Sequence, residues 1–239
     1  MDMKIKKLVC MLIISMLWLP EVGLAKEIGK VVNLVGTLTR VKADGSTITC
    51  KVQDVIEEGD TFITAGASFA QLKMADGGEM IVRPDSKVIV KEYKFDQNDP
   101  KADKAEINLA KGGLRRLTGL IGKRGDKDAD KLVTPTATAG IRGTVYDTLS
   151  CKGDCDKLTD GTYFRVKEGE IAVTTEAGEL AIKAGQFGKA ATTNEKPTLL
   201  PKDPGLPPFN PPKSAAPVNT GPNQCNAHFD GGGLVFAQC

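Results

Sequence analysis

Apolar residues recur at every second position through much of this chain. The alternation is clear over residues 34–38, 70–74, 80–83, 105–109 and 180–184. Successive side chains of a β-strand point to opposite faces, so a period of two is typical of a strand with one buried face. Each of these runs therefore predicts a half-buried strand.

Turn residues separate the predicted strands. Asp and Gly tolerate the backbone angles of tight turns, so together they predict hairpins or sharp corners. The signals are Asp44-Gly45, Asp76-Gly77-Gly78, Asp160-Gly161 and Ala177-Gly178. Two polar stretches, residues 96–104 and 122–131, predict loops.

One segment departs from the period of two. Residues 114–122 (LRRLTGLIG) carry leucines at helical spacing, but glycines flank and interrupt them. Because glycine weakens a helix, we favour a strand with a bend over a short helix here.

Many short strands without long helical segments between them predict an all-β fold. The strands suit either a solenoid-like roll or a two-sheet sandwich, followed by a proline-rich C-terminal extension. A doubly wound α/β fold is excluded, because it needs long helices between its strands.

The chain begins with the three parts of a secretory signal peptide. Residues 4–7 form a basic start, residues 8–20 are apolar, and residues 23–25 supply small side chains for cleavage. The apolar run is short for a membrane span. We therefore predict that residues 1–25 are removed and that the protein is periplasmic or secreted. The alternative is an uncleaved signal peptide that holds the protein at the membrane.

Composition divides the remaining chain into three parts. Residues 26–196 contain the predicted strands and form the β domain. Residues 197–222 contain nine of the 13 prolines, and proline lacks a backbone donor, so this segment cannot lie inside a sheet. We predict an extended linker or a surface strap there, and a small cysteine-closed tail over residues 223–239.

An exported protein can form disulfides, and the cysteine spacing suggests two local pairs. Cys151 and Cys155 would join the tip of a hairpin, and Cys225 and Cys239 would close the tail. Cys50 would then be left unpaired.

Residues suited to catalysis are few. The single histidine, His228, lies in the tail, where it lacks the converging partners that a zinc site or a nucleophilic triad requires. Gly140 and Gly143 are not followed by the lysine and hydroxyl pair of a phosphate-binding loop. We therefore predict no catalytic residue, no metal and no cofactor. An uncharacterised hydrolase is the remaining enzymatic alternative.

The net charge of +2 over 239 residues gives no reason to expect nucleic-acid binding. The densest basic stretch, residues 111–124, is a candidate surface for an anionic partner, such as an envelope glycan or a phospholipid. Its candidate residues are Arg115, Arg116, Lys123 and Arg124. Because acidic residues follow at once, a solvated face without a ligand is the other interpretation.

Four segments of the chain, in this order, resemble the FecR domain family. They are EEGDTFITAGASFAQLKMADGGEMIVRPDSKVIV, KGGLRRLTGLIGKR, TPTATAGIRGTVYDT and GTYFRVKEGEIAVTTEAGELAIKAGQF. The resemblance runs from about Val31 to Lys189, and TPTATAGIRGT is its most specific part.

Members of this family are known as the extracytoplasmic part of ferric-citrate-type signalling regulators. There the domain carries a signal from an outer-membrane receptor to a cytoplasmic sigma factor. The resemblance implies an all-β domain that binds partners, and it transfers no catalytic residues to this chain. Since no anti-sigma segment precedes the domain, we expect a separate exported module that binds an envelope protein.

The resemblance also makes one segment, residues 134–148, a structural signature. Its signature residues are Pro135, Gly140, Arg142, Gly143 and Thr144. The segment and its flanks are longer than a usual strand, so the two glycines should mark a bend or a bulge.

Strict alternation assigns the side chains of this segment to two faces. Ile141 and Leu149 fall on the apolar face, which Asp147 interrupts near its end, and Tyr146 falls on the polar face. The carboxylate on an otherwise apolar face is the exception in this pattern.

Arg142 at the bend is interpreted as a structural arginine whose guanidinium binds neighbouring carbonyls or a carboxylate, with ligand contact as the alternative. We therefore expect Arg142→Ala to lower the melting temperature markedly. Wild-type stability with lost partner binding would favour ligand contact instead.

Overall fold

The computed structural model describes residues 26–124, 126, 128–210, 226–230 and 233–238. The strands within these ranges are β1 (Glu27–Val35), β2 (Leu38–Val41), β3 (Thr47–Thr49), β4 (Val55–Glu57), β5 (Thr61–Thr64), β6 (Phe69–Met74), β7 (Glu79–Val82), β8 (Lys87–Lys94), β9 (Lys104–Leu117), β10 (Asp130–Val133), β11 (Thr138–Cys151), β12 (Gly161–Thr175), β13 (Gly178–Lys183), β14 (Phe187–Ala190), β15 (Thr198–Leu200), β16 (Asn226–Asp230) and β17 (Gly233–Gln238). A 3₁₀ turn at Pro100–Ala102 and the one-turn helix α1 (Ile121–Arg124) interrupt them.

The predicted all-β fold is confirmed, and the alternating runs lie in strands. A turn at Gly36 divides the first run between β1 and β2. The ambiguous segment 114–122 contains both predicted structures, because β9 continues to Leu117 and α1 begins at Ile121.

The first 15 strands form one open, hydrogen-bonded sheet with two arms. In order, one arm contains β3, β2, β5, β8, β9, β10, β11, β12 and β13, and the other contains β15, β14, β12, β11, β9, β7, β6, β1 and β4. Strands β9, β11 and β12 therefore belong to both arms. Because the sheet is continuous between them, the roll describes the fold better than two separate sheets.

Each shared strand changes arm at a glycine with a positive φ angle. These residues are Gly112 in β9, Gly143 in β11 and Gly169 in β12, with φ values of 75°, 61° and 75°. The predicted bend at Gly143 is confirmed. Gly140 stays in regular register with Lys131 and Ala172, so it is not part of the bend.

The bend reverses the side-chain alternation of β11. The register with β12 shifts between Arg142 and Val145. Tyr146 consequently joins Ile141 in the main core, whereas Leu149 belongs to a second core on the opposite face. The assignment of Tyr146 to the polar face, and of Leu149 to the same face as Ile141, is therefore wrong. A bulge of one residue exchanges the two faces of every position after it.

The second core lies under the C-terminal segment. Its buried members are Leu149, Cys151, Tyr163, Leu206 and Phe209. Residues 201–210, which we call the strap, follow β15 and contribute the last two of these side chains. The described part of the predicted linker therefore packs on the β domain as a strap, and 211–222 lies outside the described residues.

The cysteines divide between described and undescribed segments. Cys151 and Cys155 have sulfur atoms at bonding distance and Cα atoms 5.5 Å apart, at the tip between β11 and β12. Cys50 is buried with a free thiol, and burial raises its pKa to about 11. Cys225, Cys239 and the predicted signal peptide lie outside the described residues.

We predict that Gly169→Ala destabilises the domain by about 1–3 kcal/mol. Its φ is positive, and a Cβ atom would lie 2.6 Å from the carbonyl oxygen of Gly143 and 2.8 Å from Cγ2 of Thr144. Urea unfolding measures the loss.

The matched control is Gly140→Ala in the neighbouring strand. There the Cβ atom would lie no closer than 3.9 Å to any other atom, the carbonyl oxygen of Ala172, so we expect unchanged or slightly increased stability. Equal destabilisation by the two variants would contradict the role given to the bend.

Candidate functional site

A buried carboxylate joins two arginines where β9, β11 and β12 lie side by side. Asp147 is 0% exposed. The Arg115 Nε and Nη2 atoms donate to its two oxygens at 2.5 and 3.0 Å, and Arg165 Nε donates at 2.8 Å. One negative charge thus serves two guanidinium groups.

An aromatic ring from the strap covers these cations. Phe209 is 1% exposed, and the guanidinium carbons of Arg83, Arg115 and Arg165 lie 5.1, 5.9 and 5.6 Å from its ring centroid. These distances permit cation–π attraction. We call these four residues and Asp147 the Phe209 site.

Further strap atoms bind the same arginines. Arg83 Nε donates to the carbonyl oxygen of Pro208 at 2.9 Å, and Arg115 donates to the side-chain oxygen of Asn210. Arg165 forms an ion pair with Asp203 at 3.1 Å. Arg115 and Arg165 therefore bind both Asp147 inside the domain and the strap, whereas Arg83 binds the strap alone.

On the domain side the site has more cations than carboxylates: Arg115 is buried, and Arg83 and Arg165 are partly exposed. Burial lowers the pKa of the Arg83 guanidinium, and the nearby charge of Asp147 acts in the opposite direction. A single buried carboxylate stands among three cations, so the site favours groups with negative potential, such as a ring face or a carbonyl oxygen.

The four residues of the predicted anionic-partner patch do not form one exposed surface. Arg115 and Arg116 are adjacent in β9 and point to opposite faces, and both are buried. Arg116 binds the buried Asp130 through two hydrogen bonds of 2.6 and 3.2 Å. Burial would lower the pKa of Arg116, and the Asp130 carboxylate more than offsets this, so the pKa is raised.

The other two residues of that patch also differ from each other. Arg124 binds Asp103 at 3.0 Å and lies 5.0 Å from the ring centroid of Phe95. Lys123 is exposed. Three of the four cations thus bind carboxylates within the domain instead of forming an exposed surface, which removes the basis for a continuous basic patch.

Arg142 does not contact the neighbouring carbonyls or carboxylate that a structural role requires. Its side chain is exposed and, among the described residues, makes no hydrogen bond or ion pair. It lines a polar groove of about 310 Å³ on the outer face of β10–β13, which we call the Arg142 groove. Its lining residues are Asp128, Lys131, Thr138, Gly140, Arg142, Ala172, Thr174 and Glu179. The prediction of a structural arginine at this position is therefore wrong.

Of the remaining signature residues, Thr144 lies inside the domain and Pro135 lies at its surface. Thr144 is buried, and its carbonyl oxygen accepts a hydrogen bond from Thr118 Oγ1 at 2.8 Å. Pro135 is exposed and lines a cavity of about 680 Å³ beside the hairpin tip at Cys151.

The described residues also bear on metal and membrane sites. No group of three or more His, Cys, Asp or Glu residues there is arranged to hold a metal ion. None of the helices in these ranges has the length and apolar character of a membrane span. His228 lies in β16 opposite Phe236.

Comparison with known proteins identifies the domain around this site. The model of the FecR protein family matches residues 60–172. These residues include Asp147 and the three arginines of the Phe209 site and most of the Arg142 groove, whereas Thr174, Glu179 and Phe209 lie beyond them. The segment is thus a signalling-regulator-like domain, of a kind that is extracytoplasmic in its family. Over residues 60–172, just under half of its length, the chain therefore carries a FecR-like domain.

Similar solved structures are distant. Two crystal structures of a candidate anti-sigma factor from Parabacteroides distasonis ATCC 8503 have TM-scores of 0.44 and 0.43 at 10% identity; each alignment covers 59% of this chain and 58% of theirs. A cell surface anchoring domain has a TM-score of 0.26 at 27% identity, over 26% of this chain and 82% of its own. No curated protein matches the chain.

Sequence reasoning missed most of the Phe209 site. Arg83, Arg165 and Phe209 carried no motif, and Arg115 was assigned to an exposed patch. Asp147 did give a signal, because it stood as the one carboxylate on an apolar face. Such a residue is expected to find a cationic partner when buried.

We predict that Asp147→Asn destabilises the protein by about 3–5 kcal/mol, because it leaves buried guanidinium groups without their counter-charge. The side chain keeps its size and loses only the charge. Thermal and urea unfolding measure the effect.

Asp156→Asn is the matched control, since Asp156 is exposed in the loop after Cys155. We expect this variant, and Arg142→Ala, to stay within about 0.5 kcal/mol of the wild type. If Asp147→Asn also stays within that range, the ion pairs do not stabilise the fold.

Proposed function

We propose that this protein is a non-enzymatic interaction module of the bacterial envelope, exported to the periplasm or secreted, that binds a protein partner through its FecR domain. The observation that carries the proposal is the family match over residues 60–172. FecR-like regulators act by contact with other envelope proteins, so binding is the function that the family supports best.

The Arg142 groove is the surface that we assign to this contact. An exposed arginine without an internal partner has all five of its N–H donors available to another molecule. Gly140 forms part of the groove without needing glycine geometry, since a Cβ atom would meet only the Ala172 carbonyl at 3.9 Å. A glycine that the fold does not require leaves room for a partner's backbone.

The chemistry of the groove favours a carboxylate on the partner. Arg142 and Lys131 line it together with Asp128 and Glu179. The Arg142 guanidinium is the group without a partner in the domain, and a guanidinium can bind a carboxylate through two parallel hydrogen bonds. An Asp or Glu side chain on an extended segment would fit this arrangement. The second candidate, an anionic envelope glycan, rested on residues that the domain largely neutralises internally, so no specific observation favours it.

Export supports one further element of the proposal. An oxidising compartment would allow Cys151 and Cys155 to remain joined, and their sulfur atoms lie at bonding distance. The disulfide would then hold the hairpin tip between β11 and β12.

Affinity capture from an envelope fraction tests the function. The full chain, Arg142→Ala and Lys91→Ala serve as baits; Lys91 is an exposed cation of β8 away from the groove. We expect the wild type and Lys91→Ala to retain one discrete protein, and Arg142→Ala to retain at least ten-fold less, because the groove loses its free donor.

Unfolding curves of the three baits must coincide for this comparison. Recovery of an anionic polymer by all three, without a protein, would contradict the proposal. Equal recovery of the protein by Arg142→Ala would show that the partner binds elsewhere on the domain.

A further inference from the structure

We propose that the Phe209 site is a binding site for a proline-flanked phenylalanine segment of a partner protein, and that the chain's own strap fills it until such a segment replaces it. The inference rests on the proposed function as a protein-interaction module and names a second contact, distinct from the Arg142 groove.

The walls of the site and the group that fills it come from different parts of the chain. Arg83, Arg115, Asp147 and Arg165 all lie within residues 60–172, which match the family model. Phe209 lies beyond that match. The family domain therefore supplies a complete cationic pocket, and a segment outside the domain supplies the ring.

The contacts of the strap are those of a bound peptide. Its residues 201–210 belong to no strand, and four of them are prolines, which cannot donate to a sheet ladder. Binding instead uses the aromatic ring, the carbonyl oxygen of Pro208 and the side chains of Asp203 and Asn210. Recognition of extended, proline-rich segments by grooves commonly depends on such contacts.

The charge of the site favours a ligand of this chemistry. With Asp147 as its only buried carboxylate, the site presents three guanidinium groups to whatever covers it. A ring face attracts cations, and main-chain carbonyls accept the remaining donors. An aliphatic side chain would fill the volume without offsetting the charge.

The strap leaves space beside it for a second segment. A cavity of about 530 Å³ adjoins the site, between the β7–β8 turn at Arg83, the loop after Cys155 and the strap at Pro204 and Pro207. A partner segment can enter along this cavity and contact Arg83, the one arginine of the site that lines it, before the strap has left completely.

The test must allow for the strap, which competes with any added peptide for the Phe209 site. A segment on the same chain acts at an effective concentration of about millimolar, so a peptide added to the wild type competes poorly. The probe is a fluorescein-labelled synthetic peptide, KDPGLPPFN, which has the sequence of residues 202–210. Fluorescence anisotropy measures its binding to the full chain.

We expect the peptide to bind the full-length Phe209→Ala variant at least ten-fold more tightly than the wild type. The same peptide with alanine in place of its phenylalanine should bind that variant at least ten-fold more weakly. Leu199→Ala is the control, since Leu199 is an exposed apolar residue of β15 that does not contact the site; its affinity for the peptide should equal that of the wild type.

A second variant is needed in case Phe209→Ala does not fold. Asp203→Ala with Asn210→Ala removes two exposed strap contacts and leaves the buried ring in place. We expect it to raise the affinity for the peptide at least three-fold.

No binding by either folded variant would overturn the proposal and leave the strap as a structural element only. Equal binding by the wild type and both variants would overturn it as well, because the peptide would then bind elsewhere. Neither result would affect partner capture through the Arg142 groove, so failure of this inference is distinguishable from failure of the proposed function.

Discussion

The backbone crossing at Gly143 and Gly169 is the constraint on which the rest of this structure depends. Strands β11 and β12 can pair in both arms only if each changes direction within its length, and positive φ angles make this possible. The two crossings touch, since a side chain on Gly169 would collide with the carbonyl of Gly143. The extra residue at this point reverses the alternation of β11. Tyr146 is thereby placed in the main core, and Asp147 faces the strap.

The reversed face explains why a charged site exists inside an all-β domain. Once Asp147 faces away from the main core, it can bind Arg115 from one neighbouring strand and Arg165 from the other. Within the domain, one carboxylate serves the buried Arg115 and the partly exposed Arg165, and desolvation makes the remaining positive charge costly. The ring of Phe209 and the polar atoms beside it reduce that cost. The strap and the network therefore stabilise each other, and the second core of apolar residues forms under their contact.

Much of the fold was predictable because its signals are local. Alternation over 70–74 and 105–109 marks strands, and Asp76-Gly77-Gly78 marks a hairpin, since a few neighbouring residues decide each. The positions of charged side chains were less accessible. Arg115 and Arg116 look alike in the sequence, yet adjacent positions of a strand point to opposite faces, where each finds its own carboxylate. Arg142 looked structural beside two glycines and proves to be exposed, because it precedes the bend and alternates with the buried Ile141.

By itself, the sequence determined the all-β class, the strands and turns, the bend at Gly143 and the FecR-like domain. These follow from periodicity, turn chemistry and motif order, which are written in short stretches of residues. Only the tertiary structure decided which face Asp147 occupies, which arginines it binds and where the strap lies. The contact of Arg83 with Pro208 joins positions 125 residues apart, and that of Arg115 with Asn210 joins positions 95 apart. No local pattern encodes such pairs, because residues so far apart in the sequence meet only once the whole sheet has folded and the strap has packed on it.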